Sequence, residues 1–276
     1  MTEEKNVLVA ISGGRSSALM SYHIYNSPKY KDWNKIFVFA NTGMERPETI
    51  QFLKNIEKHW GIEITKIEGV YTNEMNIGVN FKIVDWENLD MNAKPFEGAV
   101  MHMNKGTFDG LPNMAAPYCS ERMKTIPSKK LGDEIFGLNN YKTAIGFRFE
   151  DMPKRISFPE IKVDQKRIFP LLTDFESPVT QQFLNDWWSK QPFKLEIHNK
   201  FGNCELCWKK SEKNLIEVIR HGTRFVDWVD TMEQKYQNTM FRNKLSIRDL
   251  VKMASLPTTA EFNFDDVDDN CVCSFT

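Results

Sequence analysis

No stretch of this 276-residue chain approaches the ~20 consecutive apolar residues that a helix needs to span a bilayer. The first residues, Met1-Thr2-Glu3-Glu4-Lys5-Asn6, lack the cationic-then-apolar order of a secretory signal, and a cytoplasmic chain is expected. Net charge is nearly absent at −1, which removes a global field for nucleic acid and leaves only local basic patches. Five cysteines are an odd number for a disulfide framework; reduced thiols, a metal site or redox chemistry fit a cytosolic chain better. The glycine loop near the N-terminus follows neither the dinucleotide pattern G-x-G-x-x-G nor the Walker pattern G-x-x-x-x-G-K-[ST].

That loop is what the chain is organised around. Asn6-Val7-Leu8-Val9-Ala10-Ile11 reads as a strand buried on both faces, as in a parallel sheet. Ser12-Gly13-Gly14 gives a turn without bulky side chains, and Ser16 or Ser17 is placed to N-cap a helix carrying Ala18, Leu19, Met20 and Tyr22. Strand, glycine loop and helix N-terminus together make an anion site, because free N–H groups and the positive end of the helix dipole converge there. Phosphate or pyrophosphate is the ligand that geometry favours.

The pattern repeats. Residues 36–40 form a second buried-type strand that runs into Asn41-Thr42-Gly43. Pro47 and Glu48 suit the first turn of the next helix, Gly61 stops it, and residues 62–67 form a third strand. Such alternation implies a parallel sheet with right-handed crossovers, whose ligands sit at the carboxyl ends of its strands. Residues 72–118, rich in Met, Asn and Gly, read as an insertion of loops and short helices, a candidate lid. Residues 141–146 form a fourth strand leading to Gly146-Phe147-Arg148, where Arg148 and Arg155 can pair with phosphate or sulfate through forked hydrogen bonds; surface ion pairs with Glu150 and Asp151 are the plainer alternative. Residues 167–172 read as a short edge strand, with Ser177-Pro178 capping the following helix. Helical segments are expected over 177–190, 206–221, 222–237 and 246–254. A three-layer α/β fold with a C-terminal helical subdomain follows, divided as 1–175, 176–256 and an acidic tail 257–276.

The cysteines form the second theme. Cys204-Glu205-Leu206-Cys207 is a C-x-x-C pair behind a Gly202-Asn203 turn, with Lys209 and Lys210 beside it. Cys119 heads a short helix with Arg122, Lys124, Lys129 and Lys130 nearby, a setting that lowers a thiol pKa. Three cysteines with an open position suit an iron–sulfur cluster, and four suit a closed zinc or cluster site. Cys271 or Cys273 is the candidate fourth ligand, His198 a lesser one; alternatively the tail thiols are nucleophiles that carry sulfur or reduce an intermediate.

Taken together, Ser12-Gly13-Gly14-Arg15-Ser16-Ser17, Asn41-Thr42-Gly43 with Pro47-Glu48-Thr49, the segment from Cys119 to Pro127, Gly146-Phe147-Arg148, Phe169-Pro170-Leu171-Leu172 and Cys204-x-x-Cys207 resemble the phosphoadenylyl-sulfate reductase family within the PP-loop ATP pyrophosphatases, over roughly residues 6–215. The Ser-Gly-Gly-Arg loop looks like that of phage-encoded relatives. The resemblance implies an adenine nucleotide alpha hydrolase-like sheet, with the phosphates of ATP or phosphoadenylyl sulfate on residues 12–17 and adenosine near Ala40, Asn41, Thr42 and Gly43. Gly146, Arg148 and Arg155 complete the expected nucleotide site. It also implies sulfur or adenylyl transfer, with magnesium as a further cofactor and Cys119, Cys204, Cys207 and Cys273 holding a [4Fe–4S] cluster, zinc being the alternative. Cys273, Cys271 and Arg148 are the expected catalytic residues. Two rival readings stay open: a reductase proper, in which a tail cysteine attacks sulfur and thioredoxin resolves it, and a non-catalytic nucleotide-binding module with structural zinc. Ser16 stands where the pyrophosphatase loop commonly has Asp, and the tail reads Asn270-Cys271-Val272-Cys273 rather than Glu-Cys-Gly. A tRNA or DNA acceptor stays open through the local basic cluster, though no aromatic-interleaved basic stripe announces one.

Overall fold

β1 (Asn6–Ala10) lies wholly buried near the centre of a six-stranded sheet of order β4-β3-β2-β1-β5-β6. The structure is a computed structural model and describes residues 5–257 apart from 73–77, 105–109 and 203. β1 pairs in parallel with β2 (Asn34–Asn41) and with β5 (Lys142–Ala144). β2 pairs in parallel with β3 (Ile64–Tyr71), and β5 with β6 (Arg167–Ile168). The continuous apolar run of β1 is buried on both faces because its side chains alternate between two cores. Val7, Val9 and Ile11 pack with α1 (Arg15–Asn26) and α2 (Pro47–Trp60), while Leu8 and Ala10 pack on the opposite face with Ile145, Phe147 and Phe169.

α2 begins with Pro47 at its first turn, carries Glu48 at its positive end and stops at Gly61 in the left-handed conformation, as its sequence signals require. α1 differs from expectation. It starts at Arg15 with Gly14 at the cap position, and no side chain caps it; Ser17 lies inside the first turn and its hydroxyl donates back to the Gly14 carbonyl. The stretch read as loops and short helices contains β4 (Val79–Val84), an antiparallel edge strand on β3, before α3 (Lys94–Met103). Half of its side chains are exposed, and its sequence alternates apolar and polar residues rather than carrying the continuous apolar run of the inner strands.

A continuous helical stretch follows. α4 (Tyr118–Ser120) passes through a π-helical turn, Glu121–Thr125, into α5 (Ile126–Phe136). The expected edge strand shrinks to β6, because Pro170 opens a helix instead: α6 (Phe158–Val163) precedes β6 and α7 (Pro170–Thr173) follows it. α8 (Gln181–Trp188) is capped by Thr180, whose hydroxyl accepts the Phe183 N–H, rather than by Ser177. α9 (Glu212–Arg220), α10 (Val226–Tyr236) and α11 (Ile247–Ser255) complete the described chain; residues 206–211, expected in a helix, are turns, and Ser211 caps α9.

A further core is built jointly from residues 93–123 and 201–250. Phe96, Val100, Leu111 and Met123 meet Leu206, Leu215, Val229 and Leu250 there, and all three described cysteines belong to it. Among the described residues no helix is long and apolar enough to cross a membrane.

Candidate functional site

The 12–17 loop leaves β1 at the carboxyl edge of the sheet. Ile11 N–H still bonds the Val38 carbonyl, which keeps the ends of β1 and β2 side by side. Ser17 closes the loop: its Oγ accepts the Ser12 N–H at 3.1 Å and lies 3.0 Å from Ser12 Oγ. Gly13 has φ +77°, and a Cβ there would stand 2.4 Å from Thr49 Cγ2, so α2 packs directly under the loop. On the other side, a Cβ on Gly146 would stand 3.2 Å from the Ser17 Cα. The strand order turns at this point, since the chain proceeds from β1 outward through β2 and β3, then returns to β1's other side with β5 and β6. The loops after β1 and β5 therefore flank the switch point of the sheet, where open α/β folds bind ligands. With no capping side chain and no acidic residue in its first turn, α1 presents the positive end of its dipole here.

Arg148 lies at this edge. It is only 2% exposed, and its Nε has no hydrogen-bond partner; the nearest carboxylate oxygen, Asp151 Oδ2, is 3.9 Å away. Arg155 Nε lies 3.4 Å from the other oxygen of Asp151. The two arginines thus share one buried aspartate rather than forming two surface pairs, and Glu150 instead accepts the Gln181 N–H. Arg15 contributes its carbonyl to the Trp188 indole N–H at 3.2 Å, which ties α8 to the start of α1. Ser16 sits half-buried in the same first turn.

The loop after β2 is interior. Ala40 belongs to the sheet core. Asn41 is fully buried: its amide donates to Glu68 Oε1 and the Asp90 carbonyl, and its Oδ1 accepts the Gly43 N–H. Thr42 is also fully buried, and it joins two neighbourhoods. Its hydroxyl lies 2.9 Å from Glu45 Oε1 and 3.3 Å from Cys204 Sγ.

Cys119, Cys204 and Cys207 are buried and line one cavity of about 10 Å3, which Thr42, Met123, Lys124 and Met240 also line. The Trp208 indole N–H points at Cys119 Sγ from 3.4 Å. The C-x-x-C turn is fastened to the β2–α2 loop by backbone: Glu45 and Cys204 form an antiparallel bridge, and Glu205 N–H donates to the Met44 carbonyl. Lys210 is buried beneath that turn, with Nζ donating to the carbonyls of Gly202, Cys204 and Glu205. Lys209 lies over the Trp208 ring.

Around this turn runs a set of charges, buried except for Arg224, that motif reading misses. Lys124 Nζ is 3.8 Å from Glu45 Oε1, Arg46 is 3.9 Å from Glu205, and Arg224 bonds both Glu205 Oε1 and the Glu45 carbonyl. Burial pushes the Glu45 carboxyl up; the Lys124 charge and the Thr42 hydrogen bonds pull it only part of the way back. The one available signal is positional: Glu45 and Arg46 stand directly behind a strand-end glycine.

The expected ligand set is therefore brought together in part. Three of its thiols share a cavity, while Cys273, like the catalytic candidate Cys271, lies outside the described residues. Among the described residues no three or more His, Cys, Asp or Glu side chains form a group that could hold a metal ion. His198 is exposed and lies near Phe201.

A family model described as phosphoadenosine phosphosulfate reductase domain matches residues 6–186. The nin region protein ORF290 of Escherichia phage lambda is 29% identical over 263 residues, 90% of this chain and 84% of that one. A protein of Methanocaldococcus jannaschii is 29% identical over 133 residues, 48% of this chain and 21% of its own. Among solved structures, the U34-tRNA thiolase NcsA from Methanococcus maripaludis with its [4Fe–4S] cluster superposes with a TM-score of 0.42 at 16% identity, covering 92% of this chain and 72% of that one.

Proposed function

The chain belongs to the phosphoadenosine phosphosulfate reductase domain family, and on that premise we propose that it binds an adenine nucleotide on the 12–17 loop and carries out sulfur or adenylyl transfer beside the thiol cavity. The observation that carries this reading is Thr42. It directly follows β2, the strand paired with β1 beside the phosphate loop, and lines the cavity that also has Cys119, Cys204 and Cys207 in its wall. Nucleotide and thiols are thereby two ends of one site.

Each part has a physical task. The uncapped N–H groups of α1 and the loop backbone receive phosphate oxygens. Arg148, buried with an unpartnered Nε, and Arg155 stabilise the negative charge that develops on a phosphate or sulfate during transfer. Gly13 and Gly146 let the backbone approach the ligand closely. The buried thiols are the sulfur-bearing or sulfur-accepting groups. Three thiols are also the donor type that a thiophilic metal takes. The cavity between them has room for about one water molecule, however, and a four-iron cluster does not fit that space as described.

Calorimetric titration of the full chain with ATP and with phosphoadenylyl sulfate tests the nucleotide end. Submicromolar to micromolar binding that Arg148→Ala weakens is the expected outcome, and a chain that binds neither nucleotide overturns the reading. Pyrophosphate release from ATP then separates adenylyl transfer from reductive cleavage, which releases sulfite from activated sulfate.

A further inference from the structure

α5 covers β2, β3 and β4. A groove of about 360 Å3 lies between α5, β5 and the segment that enters β6. Leu8 and Ile145, both buried, are among the residues lining it. It is separate from the phosphate loop. Leu8 belongs to the face away from α1, whereas Val7 and Val9 face α1.

Ser128 of α5 lines this groove. The residue is 2% exposed, and its Oγ has no hydrogen-bond partner. A helical serine commonly returns its hydroxyl to the carbonyl four residues back; this one does not. A buried hydroxyl left unmade costs about 1–3 kcal/mol, which makes it a place where a bound acceptor or donor gains.

The charges around it are lopsided. Lys129 and Lys166 are exposed, line the groove and form no ion pair among the described residues. The carboxylate that lines it, Asp164, is already committed: it accepts Arg167 Nε at 2.6 Å and the backbone N–H groups of Lys166 and Arg167. What remains is an apolar surface, a buried hydroxyl and two free ammonium groups. The volume falls within the range of small-molecule sites, about 300–1,000 Å3.

We propose that this groove, walled by Ser128 over Leu8 and Ile145 and flanked by Lys129 and Lys166, is a second binding site, for a small organic anion with a flat apolar body. The apolar body covers Leu8 and Ile145, a polar edge meets Ser128, and the anionic group lies between the two lysines.

Fluorescence titration of the full chain with anilinonaphthalene sulfonate, a flat apolar anion, tests this. One dye per chain is expected, undisturbed by saturating ATP. The Lys129→Glu/Lys166→Glu variant, both positions being exposed, weakens it roughly tenfold or more. Ser128→Ala weakens it roughly fivefold and raises the Tm of the free chain, because the orphaned hydroxyl is gone. Near-ultraviolet circular dichroism matching the parent shows that the variants are folded. Dye that does not bind, that binds the variants unchanged, or that ATP displaces overturns the proposal.

Discussion

Glu45 and Lys124 are both buried, and the Lys124 ammonium lies 3.8 Å from the Glu45 carboxyl. Removing one partner of a buried pair leaves the other uncompensated, at a cost of about 3–5 kcal/mol. Lys124→Met should therefore lower stability by an amount of that order in urea unfolding. The pH dependence has a definite sign. The folded carboxyl of Glu45 is raised above its ordinary value, so the folded chain holds a proton that the unfolded chain releases. Glu45's contribution is fully present below the ordinary carboxylate pKa and is lost as pH rises through the raised one. Unfolding curves of the wild type measured upward from pH 4.5 should show this loss, and Glu45→Gln should flatten it. Gly13→Ala forces a Cβ onto Thr49 in the left-handed region, costing roughly 1–3 kcal/mol, and should reduce nucleotide affinity together with Tm. Cys204→Ser should leave nucleotide binding intact while abolishing sulfur transfer; full turnover by that variant would remove the thiol from the reaction.

At the scale of elements, Asp174 at the end of α7 gathers α1 and the turn after it. Its carboxylate accepts from His23, Lys29, Tyr30 and Thr173. Burial alone would push this carboxyl up, and those four hydrogen bonds outweigh it and hold it well below the usual carboxylate range. The stability it contributes is present above the ordinary aspartate pKa and disappears as pH falls through the depressed one. Asp174→Asn should accordingly melt below the wild type at pH 7, with the two converging in strong acid. Trp188→Phe should keep the aromatic packing against Phe52 and Trp60 and lose the bond to the Arg15 carbonyl, for about 1 kcal/mol and a measurable loss of nucleotide affinity. Elements were legible in the sequence where burial and stop signals coincide. β1, β2 and α2 each join an apolar pattern to a glycine or proline at the end. β4 was missed although Val79-Asn80-Phe81-Lys82-Ile83 alternates as a half-buried edge strand does, because that signal is weaker than a continuous apolar run and lies inside a stretch rich in Met and Asn. The phosphate loop and the cysteines could be read from local spacing. The ladder of Glu45, Lys124, Glu205 and Arg224 could not, since the buried Glu45, Lys124 and Glu205 and the more exposed Arg224 meet only through partners from distant segments.

Among the described residues one buried core draws on segments from both sides of the sheet's last strands. The core around the cysteines takes Phe96, Val100 and Met123 from before β5 and Leu215, Val229 and Leu250 from after β6. A fragment ending at residue 198 should therefore expose that core and fail to unfold cooperatively, whereas the intact chain should melt in a single transition; circular dichroism and gel filtration of both would show it. The order of the strands has one more consequence, for a chain still leaving the ribosome. β2 is complete at Asn41, but β1's other neighbour is not complete until Ala144. At ordinary synthesis speeds of about 5–20 residues per second, the strand that ends as the middle of the sheet spends roughly 5–20 s as a bare edge. The nascent protein thus carries its most sticky strand uncovered at birth, and its folding yield in the cell should depend on how that interval is guarded.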